Sequence, residues 1–345
     1  MQLSYLPYSL QFIHPFGLSY GTRTKTDVVF VKLECEGVVG YGEASLPPYL
    51  GESHESVIDF YKKAIPILSS YNLDCNPNEL LAVIDELVPN NNAAKAGIDI
   101  ALCDLLAKSR NQTVYDYFGF KKPGPKSTSV TISIGDLNLI SQKLDEFSGF
   151  NILKIKLGHE DDKRIISTIR QFSDKPMVVD VNQGWTEKNK ALEMIKWLED
   201  KNVLFVEQPM PKENLTDMAW LTSHSTLPII ADESFKRLSD LDTVKNCFSG
   251  INIKLMKCTG LFEAVKIIKA AKKEGLKINL GCMTESSCAI SAAAQISSEV
   301  NWIDLDGPLL IKNNPFAGVT YNSGEVLLSN DVGIGAKPVE VLNFN

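Results

Sequence analysis

Charged residues stand at the ends of short apolar runs at a regular interval along the middle of this chain. Lys156, Asp180, Glu207, Asp232 and Lys254 follow one another at intervals of 22 to 27 residues. The runs before them are short and rich in β-branched residues, as buried strands are, and the stretches between them have helical spacing. The interval therefore corresponds to one strand plus one helix.

This repeat constrains the fold more than any other feature of the sequence. It extends from about residue 128 to residue 306. Repeated strands and helices of this kind favour an α/β protein with a parallel barrel closed on itself, because every crossover is right-handed and covers the sheet. In such barrels the carboxyl ends of the strands carry the chemistry, so the charged residues should converge at one mouth.

The chain is longer than a barrel requires. Its 345 residues leave roughly 100 to 150 for a second domain. Residues 1–45 predict an antiparallel hairpin and residues 53–118 have helical spacing, whereas residues 121–126 contain two prolines and a glycine and indicate a linker. We expect an α+β domain over residues 1–122, the barrel over residues 123–310, and a return to the first domain over residues 311–345.

Composition excludes several classes of partner. The net charge is −7 without a basic stripe, so we expect a small-molecule substrate and no nucleic acid. No segment has the roughly 20 apolar residues needed to span a bilayer, and no signal peptide is recognisable, which predicts a cytoplasmic protein without a membrane partner. The seven cysteines lack CxxC spacing and are expected to be reduced. A homo-oligomer is also expected.

Three carboxylates at the ends of successive strands predict a metal site. Asp180, Glu207 and Asp232 form an all-oxygen ligand set, which suits Mg²⁺ before Mn²⁺ and disfavours zinc. Each alone could be a solvated loop acid or a helix cap. Burying all three without a cation would cost several kcal/mol, so we expect one Mg²⁺ per subunit.

The lysines supply the complementary charges. Lys156 and Lys254 lie on the second and sixth predicted barrel strands and can approach a substrate from opposite sides, as a two-base proton transfer requires. A lysine acts as a base only when its pKa falls from about 10.4 towards neutrality; the alternative is a lysine paired with a metal-ligand carboxylate. Lys154 is expected to stay protonated and to neutralise a substrate carboxylate. This set of charges favours an enediolate, formed by removing a hydrogen α to a carboxylate.

Four segments carry a resemblance to a known family. They are Asp180-Val-Asn-Gln-Gly-Trp185, Val206-Glu-Gln-Pro209, Ala231-Asp-Glu-Ser234 and Ile251-Asn-Ile-Lys-Leu-Met-Lys257. Together with the charged series they resemble the muconate-lactonizing branch of the enolase superfamily over nearly the whole chain. The resemblance implies a modified TIM barrel of (β/α)7β type, a capping domain formed by the N-terminal region and the C-terminal tail, and enediolate chemistry with Mg²⁺ and lysines.

The last predicted strand selects among the activities of that branch, which includes cycloisomerases, o-succinylbenzoate synthases, N-acylamino-acid racemases and dipeptide epimerases. Asp304-Leu-Asp306 resembles the Asp-x-Asp of dipeptide epimerases, whose carboxylates hold the free ammonium of the substrate. The resemblance implies an isomerase that performs a Mg²⁺-dependent 1,1-proton transfer at the α-carbon of the second residue of an Ala-Xaa dipeptide. The alternatives are an N-acylamino-acid racemase, a lyase of the o-succinylbenzoate synthase kind, and a catalytically idle binding barrel. The aspartates count against the lyase, and the intact pair Lys156 and Lys254 counts against the binder.

The same resemblance implies further substrate contacts. Thr131 and Met283 match substrate-contacting positions, and a capping loop over residues 15–26, with Tyr20 and Arg23, should close the mouth. Members specific for Ala-Glu have an arginine six residues after the proline of a Pro-Phe pair, and here that count reaches Gly21. We therefore expect a small or apolar second residue. The alternative is an L-Ala-D/L-Glu epimerase of murein peptide recycling, if Arg23 or Lys25 reaches the site.

Overall fold

The computed structural model describes residues 1–18, 21–132 and 140–345, and it begins with a three-stranded antiparallel sheet. The strands are β1 (Gln2–Leu18), β2 (Gly21–Cys35) and β3 (Val38–Ser45). A tight turn joins the last two, with Glu36 and Gly37 both at positive φ. Val28, Val29, Phe30 and Val31 are all buried, so the centre of β2 is covered on both faces.

Four helices follow this sheet: α1 (His54–Leu68), α2 (Pro77–Glu86), α3 (Asn92–Ser109) and α4 (Val114–Tyr117). Every residue of α3 from Ala93 to Ala107 is buried. Its small residues let β3 approach its backbone: a Cβ on Gly42 would lie 2.1 Å from the carbonyl oxygen of Gly97. This close packing holds the sheet and the helix together as one unit.

The second unit is a parallel barrel of eight strands. The strands are β5 (Ser129–Ile132), β6 (Ile152–Lys156), β7 (Met177–Asp180), β8 (Val203–Glu207), β9 (Ile229–Ala231), β10 (Gly250–Ile253), β11 (Lys277–Gly281) and β12 (Trp302–Asp304). They pair in chain order, and a parallel bridge between Thr128 and Ile303 joins the last strand to the first. The expected α/β barrel is confirmed.

In the described part of the chain, seven helices cover the barrel, one between each pair of successive strands. They are α5 (Ile140–Glu146), α6 (Asp162–Arg170), α7 (Lys188–Glu199), α8 (Leu215–His224), α9 (Leu241–Val244), α10 (Leu261–Lys273) and α11 (Ser287–Ala294). The order of elements is that of a (β/α)7β barrel. Among the described residues, we find no helix that combines the length and apolar character needed to cross a membrane.

Side chains point alternately to the two faces of each strand, and this alternation divides the barrel interior into layers. Val178, Phe205 and Ile230 form a buried apolar cluster separate from the main core. Each lies two residues before a charged residue at the end of its strand, on the same strand face. An apolar plug therefore fills the barrel directly beneath the charged layer.

The C-terminal tail returns to the front of the chain. Its strands are β13 (Phe316–Ala317), β14 (Thr320–Asn322), β15 (Glu325–Leu327) and β16 (Lys337–Pro338). Isolated bridges join Phe12 to Ile311 and Thr113 to Gly333. The predicted linker runs directly into β4 (Lys126–Ser127), which pairs with β15.

Buried acids of the N-terminal region bind the barrel helices at their N-termini. Glu43 accepts bonds from the backbone N–H groups of Ser286 and Ala289, at the start of α11. Asp99 accepts bonds from the N–H groups of Leu261 and Phe262, at the start of α10. Free N–H groups and the helix dipole favour a carboxylate there. These contacts hold the capping unit against the mouth of the barrel. The seven cysteines are free, as expected.

Candidate active site

Three buried carboxylates meet where consecutive barrel strands end. Asp180 ends β7, Glu207 ends β8, and Asp232 follows β9. Asp180 and Glu207 are register partners on adjacent strands. One oxygen from each of the three acids lies within 4.8 Å of the others, a spacing suited to one shared cation. The structure thus brings together the three predicted metal ligands.

Neighbouring side chains orient these acids. Asn252 Nδ2 donates to Glu207 Oε1 over 2.7 Å. Lys257 Nζ donates to Asp232 Oδ1 over 2.5 Å and to the Asp232 carbonyl oxygen over 2.7 Å. Glu207 Oε2 is buried and accepts no hydrogen bond from the described residues, but it lies 3.0 Å from the Lys154 ammonium. The ammonium offsets part of the cost of burying this oxygen, and a metal cation could bind it as well.

Lys154 lies at the centre of the charged layer. Its Nζ is 2.7 Å from Asp304 Oδ2, 3.0 Å from Glu207 Oε2 and 3.2 Å from Asp180 Oδ2. Burial lowers the pKa of Lys154, but the charges of Asp304, Glu207 and Asp180 outweigh it and raise this pKa well above the ordinary value. Lys154 therefore carries a positive charge, as the sequence predicts.

The two candidate bases stand on opposite walls. Lys156 belongs to β6 and Lys254 follows β10, four strands apart in a closed barrel of eight. Lys156 Nζ donates to Asp180 Oδ2 over 2.7 Å and to Asn182 Oδ1 over 3.0 Å. Lys254 Nζ donates to Asp232 Oδ2 over 2.8 Å. The geometry suits delivery and removal of protons on opposite faces of one substrate.

Among these acids alone, the pKa of Lys254 shifts upward, whereas the expected lowering depends in part on a bound metal. Burial lowers the pKa of Lys254, but the charges of Asp232, Tyr49 and Glu207 together outweigh it, and the pKa lies well above the ordinary value. Burial does lower the pKa of Lys257, against the charge of Asp232. A divalent cation on the same acids would draw Asp232 away from these lysines and reverse the sign of the local field.

The pKa values of the carboxyl groups differ according to their burial and their charged partners. Burial raises the pKa of Glu207 to about 7, assisted by the nearby charge of Asp180. Burial also acts to raise the pKa of Asp180, but Lys156 and Lys154 hold it below its usual range. The pKa of Asp232 is also lowered, because the charges of Lys254 and Lys257 together outweigh the effect of its burial. The different balance of burial and ammonium partners thus gives neighbouring acids different proton affinities.

Charge counting favours a divalent ion. The six carboxyl groups are those of Asp180, Glu207, Asp232, Glu233, Asp304 and Asp306, and the four ammonium groups are those of Lys154, Lys156, Lys254 and Lys257. With all of them ionised, six negative charges against four positive ones leave −2. One Mg²⁺ balances this charge, and hard oxygen ligands are the ones it prefers.

The aspartates of the last strand border the same site. Asp304 accepts bonds from Ser129 Oγ over 2.6 Å and from Lys154 Nζ over 2.7 Å. Asp306 Oδ2 accepts a bond from the Thr131 backbone N–H over 2.8 Å. Burial raises the pKa of Asp306 to about 6, helped by the charge of Asp304. Asp306 is therefore ionised at neutral pH and has fewer cationic partners than Asp304.

These groups surround a cavity of about 250 Å³. The predicted site residues along it are Arg23, Thr131, Lys154, Lys156, Asp232, Lys254, Met283, Asp304 and Asp306. Tyr20 lies outside the described residues. A larger cavity of about 640 Å³ lies between α2 and α10, but its Arg237 is already paired with Asp85 and Glu263. The chemistry belongs to the smaller cavity.

Arg23 bears on the alternative that the sequence analysis left open. Counting to Gly21 predicted a mouth without a cation, whereas the structure places Arg23 on the cavity wall. Its Nη2 donates to the Lys25 carbonyl oxygen and to Thr26 Oγ1. Lys25 instead pairs with Asp27 over 3.2 Å and is not among the cavity-lining residues.

Some polar residues at the site received no role from the sequence. Asn182 and Glu233 line the cavity, and Lys257 supports Asp232 from below. The available signal was their position: each lies one to three residues from a predicted ligand or base, inside a quoted motif. Chain proximity alone could not show which of their atoms would face the site.

Fold and site together define an enolase-type barrel, with a carboxylate triad between lysines at its mouth. Residues 7–119 match the mandelate racemase / muconate lactonizing enzyme N-terminal domain, and residues 141–340 match the enolase C-terminal domain-like family. The chain belongs to this mandelate racemase and muconate lactonizing enzyme family of the enolase superfamily.

Individual relatives are similar along almost their full length. The L-Ala-D/L-Glu epimerase of Bacteroides thetaiotaomicron is 47% identical over 98% of this chain and 88% of its own length. A substrate-liganded L-Ala-D/L-Glu epimerase from Bacillus subtilis superposes with a TM-score of 0.93 at 28% identity, covering 99% of both chains. A dipeptide epimerase from Cytophaga hutchinsonii, complexed with Mg and D-Ala-L-Val, has a TM-score of 0.91 at 26% identity, covering 98% of this chain and 95% of that one.

Magnesium should bind once per chain and stabilise the fold, because it offsets the repulsion of three buried carboxylates. Calorimetric titration should give one site, and Mg²⁺ should raise the melting temperature after EDTA treatment. Glu207→Gln should weaken binding at least about tenfold, since even partners of metal ligands contribute 10- to 100-fold. The exposed Glu193→Gln is the matched control. A melting temperature indifferent to Mg²⁺ would contradict the metal site.

Proposed function

We propose that this protein is a magnesium-dependent dipeptide epimerase, an isomerase that inverts the α-carbon of the second residue of its substrate. The observation that carries the proposal is the placement of Lys156 and Lys254 on opposite sides of the acid triad. The relatives named as epimerases support the same class of reaction.

The reaction is a 1,1-proton transfer. One lysine, in its neutral form, takes the α-proton from one face, and the electron pair of the C–H bond moves into the carboxylate to give an enediolate. The other lysine, in its ammonium form, returns a proton to the opposite face. When bound by Asp180, Glu207 and Asp232, Mg²⁺ supplies positive charge that stabilises the enediolate.

Lys154 is suited to binding the substrate carboxylate and not to proton transfer. Its pKa is raised and its ammonium is buried, so it is a fixed positive charge and a poor base. We assign it to the substrate carboxylate, whose second negative charge develops during the reaction. The charge of Lys154 thereby adds to that of the metal without moving a proton.

Asp304 and Asp306 favour a substrate with a free amino terminus. Both border the cavity, and no described cation other than Lys154 lies within salt-bridge distance of Asp304. A substrate ammonium offers Asp306 a partner, which an acylated amine does not. This argues for a dipeptide over the N-acylamino acids that some members of the family use.

Arg23 favours an acidic second residue, and this revises the sequence-based preference for an apolar one. Among the residues whose side chains are described, no acid pairs with Arg23. Mg²⁺ balances the −2 charge of the cavity floor, and the termini of a dipeptide balance each other, which leaves the Arg23 charge for the side chain. We therefore propose an Ala-Glu-like substrate, in agreement with the 47% identical L-Ala-D/L-Glu epimerase.

Three sequence-based statements stay predictions. They are the cytoplasmic location, the homo-oligomeric state, and the domain boundaries at residues 122 and 310.

Deuterium incorporation tests the two-base reaction. In D₂O the purified enzyme should place one deuterium at the α-carbon of each epimer's second residue, scored by mass after chromatographic separation. Lys156→Ala and Lys254→Ala should each abolish inversion, because one face then lacks its proton donor or base. Single-face exchange should persist in at least one variant. Inversion at the wild-type rate in either variant would exclude the assignment.

Arg23 should determine the charge preference at the second residue. In Arg23→Met, kcat/KM for Ala-Glu should fall roughly 10- to 150-fold, the loss expected for hydrogen bonds between charged groups. Ala-Gln and Ala-Val should change by less than about threefold. Lys25→Met removes a nearby cation that is already paired with Asp27, and it should change none of these ratios. Equal losses on all three dipeptides would show that Arg23 has only a structural role.

Acidic pH should weaken substrate binding through Asp306. Its pKa is raised to about 6, so its negative charge is present above that pH and lost as the pH falls through it. The dipeptide ammonium, with a pKa near 8, stays charged throughout. KM should therefore rise between pH 7 and pH 5, while in Asp306→Asn it should be high and insensitive to pH over this range. A wild-type KM that is constant across the range would contradict this role.

A further inference from the structure

We propose that Asn182 and Glu233 form a positioning relay for Lys156, and so govern proton transfer on one face of the substrate alone. The inference rests on the proposed epimerase function and adds two residues to it. Lys156 Nζ donates to Asn182 Oδ1 over 3.0 Å, and Asn182 Nδ2 donates to Glu233 Oε1 over 3.2 Å. The amide thus connects the base to a carboxylate on another loop.

Lys156 needs such a restraint more than the other lysines do. Its side chain is 23% exposed, against 4% for Lys154 and 8% for Lys254. A flexible four-carbon side chain at that exposure has many rotamers open to it. Its other acid partner is Asp180, which is also a candidate metal ligand. Asn182 is therefore the partner that can hold Lys156 while Asp180 binds a cation.

The backbone presents the Asn182 amide to the lysine. Asn182 has φ of 45° and Gln183 has φ of 69°, so two consecutive residues occupy the left-handed region. Asparagine tolerates this conformation better than most residues. The Asn182 N–H also donates to Asp180 Oδ1 over 3.1 Å, which ties the turn to the end of β7.

Glu233 fixes the far side of the amide. An asparagine amide can rotate by half a turn and exchange its oxygen for its nitrogen. Because Glu233 accepts from Nδ2, the oxygen is directed towards Lys156. Glu233 follows Asp232, the partner of Lys254, so one loop after β9 restrains both bases through separate contacts. Lys254 does not depend on the amide.

This separation predicts a defect on one face. Without the amide, Lys156 should deliver and remove protons poorly, while Lys254 should work normally. The epimer whose α-hydrogen faces Lys254 should still lose that hydrogen and take up deuterium on the same face. For that epimer alone, the ratio of exchange with retention to inversion should rise roughly 10- to 100-fold. The other epimer should lose exchange and inversion together.

The experiment uses the full-length Mg²⁺-loaded enzyme with each pure epimer of Ala-Glu in D₂O. The variants are Asn182→Gly, Glu233→Ala and the double variant, since glycine adopts the positive φ without strain. Glu233→Gln keeps an amide oxygen facing Asn182 and should change the ratio less than Glu233→Ala does. The exposed Asn246→Ala removes an amide far from the site and serves as the control. Short-time samples are resolved by chiral chromatography and mass spectrometry, and Mg²⁺ affinity is measured by calorimetry.

The outcomes separate the relay from other roles. The relay is supported if the ratio of exchange with retention to inversion rises for one epimer only, and if the double variant changes this ratio no more than Asn182→Gly does. In that case both residues act through one contact. Equal slowing of both epimers in all variants would overturn it. A loss of Mg²⁺ affinity in Glu233→Gln that matches the loss of activity would also overturn it, by making Glu233 part of the metal site. If the wild type exchanges no α-hydrogen, the proposed function fails and the relay fails with it.

Discussion

The mutual compensation of buried charges is the constraint on which this molecule depends. Six carboxyl groups and four ammonium groups meet at the mouth of one barrel, most of them nearly inaccessible to solvent. Isolated charges would be too costly there, and only pairing at close range makes the layer tolerable. With all six carboxyl groups ionised, a residual charge of −2 favours a divalent cation in the same layer. The same requirement of stability serves catalysis, because the cation that this negative layer would bind, together with the Lys154 ammonium, would supply the positive charge that stabilises a developing enediolate.

The barrel supplies rigidity to this layer. The charged residues lie at strand ends directly above an apolar plug, and successive strands in register place their carboxylates side by side. Side chains fixed on strands hold their geometry better than side chains on loops, and electrostatic stabilisation depends on fixed geometry. The lysines benefit in the same way, since strands four apart in an eight-stranded barrel face each other across the axis.

The specificity that we propose for the second residue of the substrate depends on a different part of the chain. Arg23 belongs to β2, in the capping unit, and reaches the cavity because that unit is bound to the barrel. Glu43 and Asp99 make this attachment at the N-termini of two barrel helices. In this proposal the barrel supplies the proton-transfer groups and the contacts to the dipeptide termini, and the capping unit supplies the contact to the second side chain.

The order of charges along the chain already determined the barrel, the acid triad and the facing lysines. Strand periodicity is a local property, and parallel strands must end at one mouth, so chain order was sufficient. The tertiary structure alone decided the rest. Counting along the capping loop led to Gly21, whereas the structure places Arg23, two residues further on, among the residues that line the cavity. The contact from Lys156 through Asn182 to Glu233 joins loops 51 residues apart and depends on a left-handed turn. Such contacts arise from the packing of distant segments, and no local pattern in the sequence encodes them.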